Sequence, residues 1–142
     1  MYRSTLLLCC FLMIGLFSNA QEPVNWSPEQ LMPPAELAAV IKSNKNLPLI
    51  INIGPRPTIP HSVNVGMVNN KNGIASLKKV LSKTDRKAKV VVYCGCCPYE
   101  HCPNVRPAIQ TLKTMGFSNF YLLDLPQNIR KDWINKGYPL NN

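Results

Sequence analysis

Apolar residues along this chain fall into short continuous runs and into longer stretches with helical spacing. The runs 47–53 (LPLIINI), 89–93 (KVVVY) and 120–123 (FYLL) have the length of strands, and the first two have the composition of strands buried on both faces. A shorter strand is predicted over 61–65 (HSVNV), after the chain-breaking turn 54–57 (GPRP). The pattern therefore predicts four strands.

Helical spacing is found in the stretches between these runs. The segment 74–81 (IASLKKVL) places its apolar residues on one helical face. A similar apolar stripe follows Pro103, so we expect a helix with Cys102 as its cap, Pro103 as its first residue and Gly116 at its end. Two further helices are predicted, one beginning at Pro34 and one over 127–136.

Strands and helices alternate along the chain, and the strands show no clear inward and outward alternation. Parallel sheets covered by helices have this pattern, because each of their strands is buried on both sides. The sequence therefore predicts a single α/β domain, with a central, mainly parallel sheet of four to five strands and helices on both faces. In such open sheets, ligands bind beyond the carboxyl ends of the strands.

Residues 1–20 differ from the rest of the chain. Arg3 precedes the almost wholly apolar stretch 5–17 (TLLLCCFLMIGLF), and small residues follow it up to Ala20. This is the pattern of a secretory signal peptide that is cleaved after Ala20. An uncleaved anchor is the alternative, although the stretch is short for a membrane span. We expect an exported protein, periplasmic or secreted, with no stable membrane span once the signal is removed.

The predicted signal peptide is followed by a proline-rich lead-in, 21–34, and then by the predicted domain, 35–142. In the lead-in, Ser27 and Gln30 have the spacing of a capping box, which predicts one short helical turn. The whole chain has a formal net charge of +9. Such an excess can favour anionic substrates, but the lysines are spread thinly and do not alternate with aromatic residues. The charge pattern therefore argues against nucleic acid as a partner.

Four cysteines lie between residues 94 and 102 in the order C-x-C-C-x4-C, directly after the predicted strand 89–93. Cys94 ends that strand, and Cys102 precedes the next predicted helix. The free N–H groups and the dipole at the start of a helix favour negative charge, including a thiolate. The order of strand, loop and helix therefore indicates thiol chemistry, with Cys94 as the first candidate nucleophile and Cys102 as its rival.

Two other interpretations of these cysteines are open. Export permits disulfides, so the loop would then belong to a disulfide-stabilised scaffold whose connectivity cannot be deduced. Alternatively, a non-catalytic protein would bind copper or zinc through the sulfur atoms of Cys94, Cys96, Cys97 and Cys102. The spacing differs from that of structural zinc sites, and soft thiolate ligands favour copper.

Several short motifs occur in order between residues 35 and 140. They are LIINI at 49–53, IPHSVNV at 59–65, VVYC at 91–94, GFSNFYLL at 116–123 and, after Trp133, GYP at 137–139. Their order and spacing together resemble the rhodanese-like domain family. In this resemblance, VVYC corresponds to the strand that ends in the catalytic cysteine of the family. The loop that follows is longer than the usual C-x-x-G-x-R-[ST] loop.

The resemblance implies a sulfurtransferase, or a related thiol or persulfide redox protein, that has no cofactor. Cys94 would accept a sulfane sulfur as a persulfide and pass it to a thiophilic acceptor. Cys96, Cys97 and Cys102 would resolve or tune this persulfide. Arg106 lies farther along than the arginine of the family's loop; it is a candidate for binding an anion, and the alternative is a surface cation on the helix. The implied substrate is a small sulfur donor or a thiol. A reducing partner protein would keep the thiols reduced in an oxidising compartment.

Overall fold

A five-stranded, wholly parallel sheet forms the centre of the protein. The computed structural model describes residues 27–141, so the predicted signal peptide 1–20 and the segment 21–26 lie outside the described residues. The strands are β1 Leu31–Met32, β2 Leu49–Asn52, β3 Ser62–Asn64, β4 Val90–Tyr93 and β5 Phe120–Leu123, in the spatial order β1-β5-β4-β2-β3. Every pairing is parallel, which confirms the predicted sheet.

Helices cover both faces of the sheet, as predicted. The α-helices are α1 Pro34–Ser43, α2 Lys71–Ser82, α3 Val105–Thr114 and α4 Ile129–Asp132, and short 3-10 turns occupy Pro28–Gln30, Tyr99–His101 and Ile134–Lys136. The apolar residues of α2 and α3 pack on one face, and those of α1 pack with Trp133 on the other. Of the helices between residues 27 and 141, none has both the length and the apolar composition needed to cross a membrane.

The central strand β4 shows why the apolar runs are continuous. All four of its residues are buried, and it lies between β2 and β5. Val90 and Val92 pack in the cluster under α2 and α3, whereas Val91 and Tyr93 pack in the cluster under α1. Successive side chains point to opposite faces of the sheet, and both faces are apolar here. A strand in this position therefore needs an apolar residue at every position.

The prediction that α3 begins at Pro103 with Cys102 as its cap is wrong. The helix begins at Val105, two residues later. The segment from Cys102 to Val105 is a β-turn, closed by a 3.2 Å hydrogen bond from the N–H of Val105 to the carbonyl oxygen of Cys102. Pro103 occupies the second position of this turn, where its fixed φ is as favourable as at the start of a helix. A proline at position 103 is therefore consistent both with a β-turn and with the first residue of a helix, and the sequence does not separate the two.

The predicted helix 127–136 is also interrupted. It forms α4 and the 3-10 turn Ile134–Lys136, and the backbone leaves the helical region at Trp133, with φ of −129° and ψ of −61°. The Trp133 ring is fully buried, and its Nε1–H donates a 2.7 Å hydrogen bond to the carbonyl oxygen of Pro139. Burial of this ring, with its N–H satisfied, is therefore associated with the break in the helix.

The strand β1 is a further difference, because the sequence pattern predicts only a helical turn in the lead-in 21–34. Two residues are too few to show the alternation or the apolar run by which strands are predicted. β1 pairs with β5, and the N–H of Asp124 donates a 2.9 Å hydrogen bond to the carbonyl oxygen of Met32. The end of the lead-in therefore pairs with the outer edge of β5, which would otherwise be open.

The hydroxyl group of Tyr93 connects the end of β4 to the loop that follows β2. It accepts hydrogen bonds from the N–H groups of Thr58 (3.0 Å) and Ile59 (3.2 Å), and its oxygen lies 3.1 Å from that of Ser62. Because Ser62 donates its own proton to the carbonyl oxygen of Ile59, the Tyr93 hydroxyl donates to Ser62. Tyr93 is 1% exposed, so its hydroxyl group makes these bonds from a buried position.

Replacing Tyr93 by Phe should therefore lower the free energy of unfolding by about 1–3 kcal/mol, because the buried N–H of Ile59 and the partly buried N–H of Thr58 lose their acceptor. Urea denaturation measures this change. Tyr121→Phe, on the neighbouring strand β5 and only partly buried, is the matched control and should change stability by less than about 0.5 kcal/mol. Equal losses in the two variants would contradict the role of the Tyr93 hydroxyl.

Candidate active site

Cys94 follows β4 directly and lies at the carboxyl edge of the sheet, as predicted. It lies against the end of β2, where a Cβ atom added to Gly54 would be 2.5 Å from the carbonyl oxygen of Cys94 and 2.8 Å from its Sγ. The buried side chain of Asn52 holds this turn: its Nδ2 donates to the carbonyl oxygen of Gly54, and its Oδ1 accepts from the N–H of Gly54. A residue larger than glycine at position 54 would displace Cys94.

Gly95 turns the chain immediately after Cys94. Its φ is +77°, in the left-handed region that favours glycine, and a Cβ atom there would lie 2.8 Å from the Cβ of Ile129. The carbonyl oxygen of Gly95 accepts a 2.9 Å hydrogen bond from the N–H of Ile129. The start of the cysteine loop is therefore held against the first residue of α4.

The sulfur atoms of the loop lie close together. The Sγ of Cys96 is 3.1 Å from that of Cys94, 3.2 Å from that of Cys97 and 4.0 Å from that of Cys102. All four are free thiols in this structure, and the closest pair is about 1 Å farther apart than bonded disulfide sulfurs. Cys94 and Cys102 are buried, Cys97 is partly buried and Cys96 is exposed. Position in the loop therefore gives the four thiols different access to solvent.

Asn104 contacts two of these sulfur atoms from the turn before α3. Its Nδ2 lies 3.4 Å from the Sγ of Cys94 and 3.9 Å from that of Cys102. Its Oδ1 accepts a 3.0 Å hydrogen bond from the N–H of Asn69. Since the oxygen is occupied by a donor, the amide is oriented with its NH₂ group toward the sulfurs. The side chain is 2% exposed, so these contacts act in a low-dielectric interior.

An open pocket lies beside Cys94. It has a volume of about 240 Å³ and is lined by Pro55, Arg56, Thr58, Cys94, Gly95, Cys96, Ile129, Arg130 and Ile134. Two of these residues, Arg56 and Arg130, are cationic and exposed. Both are always charged at physiological pH and offer planar sets of N–H donors, which match oxyanions. The pocket can therefore attract a small anion to the two cysteines that line it.

Cys94 and Cys102 titrate as a coupled pair. The interaction with the Cys94 thiol lowers the pKa of Cys102 to about 5; burial opposes this shift, and the backbone N–H of Asn104 adds to it. The interaction with Cys102, together with burial, raises the pKa of Cys94 far above its ordinary range. Burial also raises the pKa of Cys97 to about 12, and its sulfur neighbours add to this. The resting thiolate is therefore on Cys102.

The predicted site residues are only partly brought together. Cys94 and Cys96 line the pocket, but Cys97, Cys102 and Arg106 are not among its lining residues. Arg106 is partly buried in the first turn of α3. Sequence reasoning missed Asn104, Arg56 and Arg130. A signal existed for Arg56, because it follows β2 and so belongs to the same sheet edge as Cys94.

Three of the sulfur atoms form a set that could hold a metal ion. The Sγ atoms of Cys94, Cys96 and Cys102 all lie within 4.8 Å of one another. Sulfur atoms that bind one metal at about 2.3 Å are separated by roughly 4 Å, so the set fits a single ion after small adjustments. Three thiolates are soft ligands, which favours copper(I) among the biological metals.

The fold is similar to that of the rhodanese-like domain of a protein from Anabaena sp., which was solved in solution by NMR. The similarity has a TM-score of 0.59 and covers 80% of this chain and 79% of the other, at 14% sequence identity. No family model and no curated protein matches the sequence. This comparison confirms, for the fold, the resemblance predicted from the motifs. At this identity it shows the fold alone.

The lowered pKa of Cys102 predicts that the reduced protein carries one thiolate at neutral pH. The ultraviolet absorbance of thiolate should appear as the pH rises through about 5, because the anionic form is stable above the lowered pKa. Cys102→Ser should remove this low transition. Cys97→Ser should retain it, since the Cys97 thiol ionises only at about pH 12. A first transition near pH 8.5, the ordinary value for cysteine, would contradict the assignment.

Proposed function

We propose that this rhodanese-like domain is a sulfurtransferase, or a related persulfide-handling thiol protein. Cys94 takes up a sulfane sulfur from a small anionic donor such as thiosulfate, holds it as a persulfide and passes it to a thiol acceptor. The observation that carries this proposal is the position of Cys94, which directly follows the central strand β4 and lines a pocket with two arginines. The fold supports it as well.

The chemical class of the donor is inferred from the pocket. Arg56 and Arg130 line it together with Cys94, so a donor with oxyanion groups has cationic partners beside the reacting sulfur. Thiosulfate combines a terminal sulfane sulfur with a charged sulfonate, which is the combination that this arrangement favours. A neutral donor gains nothing from the two guanidinium groups.

The transfer needs Cys94 as a thiolate. Cys94 and Cys102 titrate as a coupled pair, so when the Cys94 proton moves to Cys102 the single negative charge of the pair lies on Cys94. The Cys94 thiolate then attacks the terminal sulfur of thiosulfate. The new Cys94 S–S bond forms as the S–S bond of thiosulfate breaks, and sulfite leaves with the electron pair. No external oxidant or reductant is consumed in this step.

Asn104 is a positioning residue in this scheme. Its amide NH₂ group lies 3.4 Å from the sulfur of Cys94 and 3.9 Å from that of Cys102. A donor that reaches both sulfurs stabilises the negative charge on either one, so the charge can move between them without loss of a hydrogen bond. The bond from Asn69 to Oδ1 keeps the donor in place.

Export is part of the same proposal and is supported only by the signal-like segment 1–20. An oxidising compartment favours disulfides over thiols. Catalysis on Cys94 therefore depends on a reducing partner that returns the loop to its thiol form.

Reduced protein mixed with thiosulfate should release a burst of sulfite close to one equivalent per chain. Cys94→Ser should reduce this burst at least about hundredfold, because the nucleophile is lost. Cys97→Ser makes the same atomic change in a thiol that does not line the pocket, and it should keep the burst. Retention of the burst in Cys94→Ser would exclude Cys94 as the acceptor of the sulfur.

The pocket cations provide a second arm of the same experiment. The double variant Arg56→Ala/Arg130→Ala should raise KM for thiosulfate about tenfold or more, whereas kcat should change less, because exposed cations contribute mainly to binding of the anion. An unchanged KM would show that the anion is bound elsewhere.

We propose a second candidate function, copper(I) binding without catalysis, on one observation. This is the set of three sulfur atoms of Cys94, Cys96 and Cys102 within 4.8 Å of one another. Bound copper(I) would occupy the same sulfurs that the transfer reaction needs, so the two functions exclude each other in one molecule at one time. Zinc is the weaker choice, since a closed tetrahedral site needs a fourth ligand.

Reduced protein titrated with copper(I) against a chromogenic copper(I) chelator should bind one ion per chain if this second function holds. Serine at position 94, 96 or 102 should each weaken binding at least about tenfold, because one soft ligand is lost. The variant Cys97→Ser should bind as the unaltered protein does. Affinity that is equal in all four variants would exclude the three-sulfur site.

A further inference from the structure

We propose that Cys96 resolves the persulfide on Cys94: its thiolate attacks the inner sulfur, forms a Cys94–Cys96 disulfide and releases the sulfane sulfur as hydrosulfide. This inference rests on the proposed function, since it begins with a persulfide on Cys94. It adds a reductive activity, in which a sulfane sulfur leaves the protein as sulfide and not as a group carried to an acceptor.

The distance between the two sulfurs is the first support. The Sγ of Cys96 lies 3.1 Å from the Sγ of Cys94, and bonded sulfurs are about 2.05 Å apart, so the disulfide requires an approach of roughly 1 Å. Gly95, between the two cysteines, makes this geometry possible with its φ of +77°. The backbone between Cys94 and Cys96 therefore already has a conformation that brings the two sulfur atoms close to bonding distance.

Access is the second support. Cys94 and Cys96 both line the pocket, so the bond that forms between them lies at the pocket wall. Cys102, the other neighbour of Cys94, is 1% exposed and is not among the residues that line the pocket. Cys97 is in contact with Cys96, at 3.2 Å, and is itself outside the pocket lining. Of the four loop cysteines, only Cys96 is both close to the inner sulfur and exposed to a reductant.

The step balances without an outside reagent. The bond between the inner and outer sulfurs of the persulfide breaks, and a bond forms between the Sγ atoms of Cys94 and Cys96. The electron pair leaves with the outer sulfur, which takes up the proton that the Cys96 thiol loses, so the product is HS⁻. The sulfane sulfur is reduced by two electrons, and the two cysteines are oxidised by two electrons to a disulfide.

Turnover then needs a dithiol reductant. One thiolate of the dithiol attacks the exposed sulfur of Cys96, and Cys94 leaves as a thiolate. The second thiol of the reductant attacks the mixed disulfide, which frees Cys96 and leaves the reductant as a disulfide. The reducing partner expected from the sequence is therefore a small dithiol or a dithiol protein.

A single-turnover experiment tests the step. Protein that has been reduced and freed of reductant is mixed with thiosulfate under anaerobic conditions, and sulfite, sulfide and the disulfide-linked peptides are followed in time. We expect sulfite first, then about one sulfide per chain, together with a disulfide between Cys94 and Cys96. A sulfite burst followed by a persulfide that persists would overturn the resolving role and leave sulfur transfer intact.

Two variants locate the resolving thiol. Cys96→Ser should keep the sulfite burst, slow sulfide release at least about tenfold and accumulate the persulfide on Cys94. Cys97→Ser, with the same change one residue further along, should release sulfide as the unaltered protein does. Sulfide release at the unaltered rate in Cys96→Ser would overturn the assignment. Loss of the sulfite burst in the unaltered protein would overturn the proposed function and this inference together.

Discussion

The site depends on the close approach of two strand ends, Gly54 after β2 and Cys94 after β4. A side chain at position 54 would begin 2.5 Å from the backbone of Cys94, so the sheet can bring the cysteine to its edge only because this residue is glycine. The buried Asn52 and the hydroxyl of Tyr93 fix the same two ends by hydrogen bonds. Cys94 is therefore held by the most buried part of the domain.

The rest of the loop is held by contacts from other segments. Gly95 accepts a hydrogen bond from the first residue of α4, and Asn104 joins the sulfurs of Cys94 and Cys102 to the backbone of Asn69. The loop therefore places the exposed thiol of Cys96 beside the buried pair Cys94 and Cys102. In the proposed function, sulfur uptake and sulfide release belong to different members of one cluster, which gives the longer loop a role on a rhodanese-like fold.

The strands, the parallel sheet and the position of Cys94 could be predicted, because an apolar run buried on both faces leaves a clear pattern. The residue at which α3 begins could not be predicted, because Pro103 suits a turn and the start of a helix equally well. β1 is too short to show a pattern. The pocket arginines come from segments far apart in the chain, and Asn104 acts through a bond to Asn69 that sequence order does not reveal.

The central claim is that Cys94 is the sulfur that accepts a sulfane sulfur. The most direct measurement is a crystal structure of the Cys96→Ser protein after exposure of reduced crystals to thiosulfate. We expect one additional atom of electron density bonded to the Sγ of Cys94, with the amide of Asn104 still oriented toward it. An additional sulfur on Cys102, or an unmodified Cys94 beside a bound anion, would contradict this account.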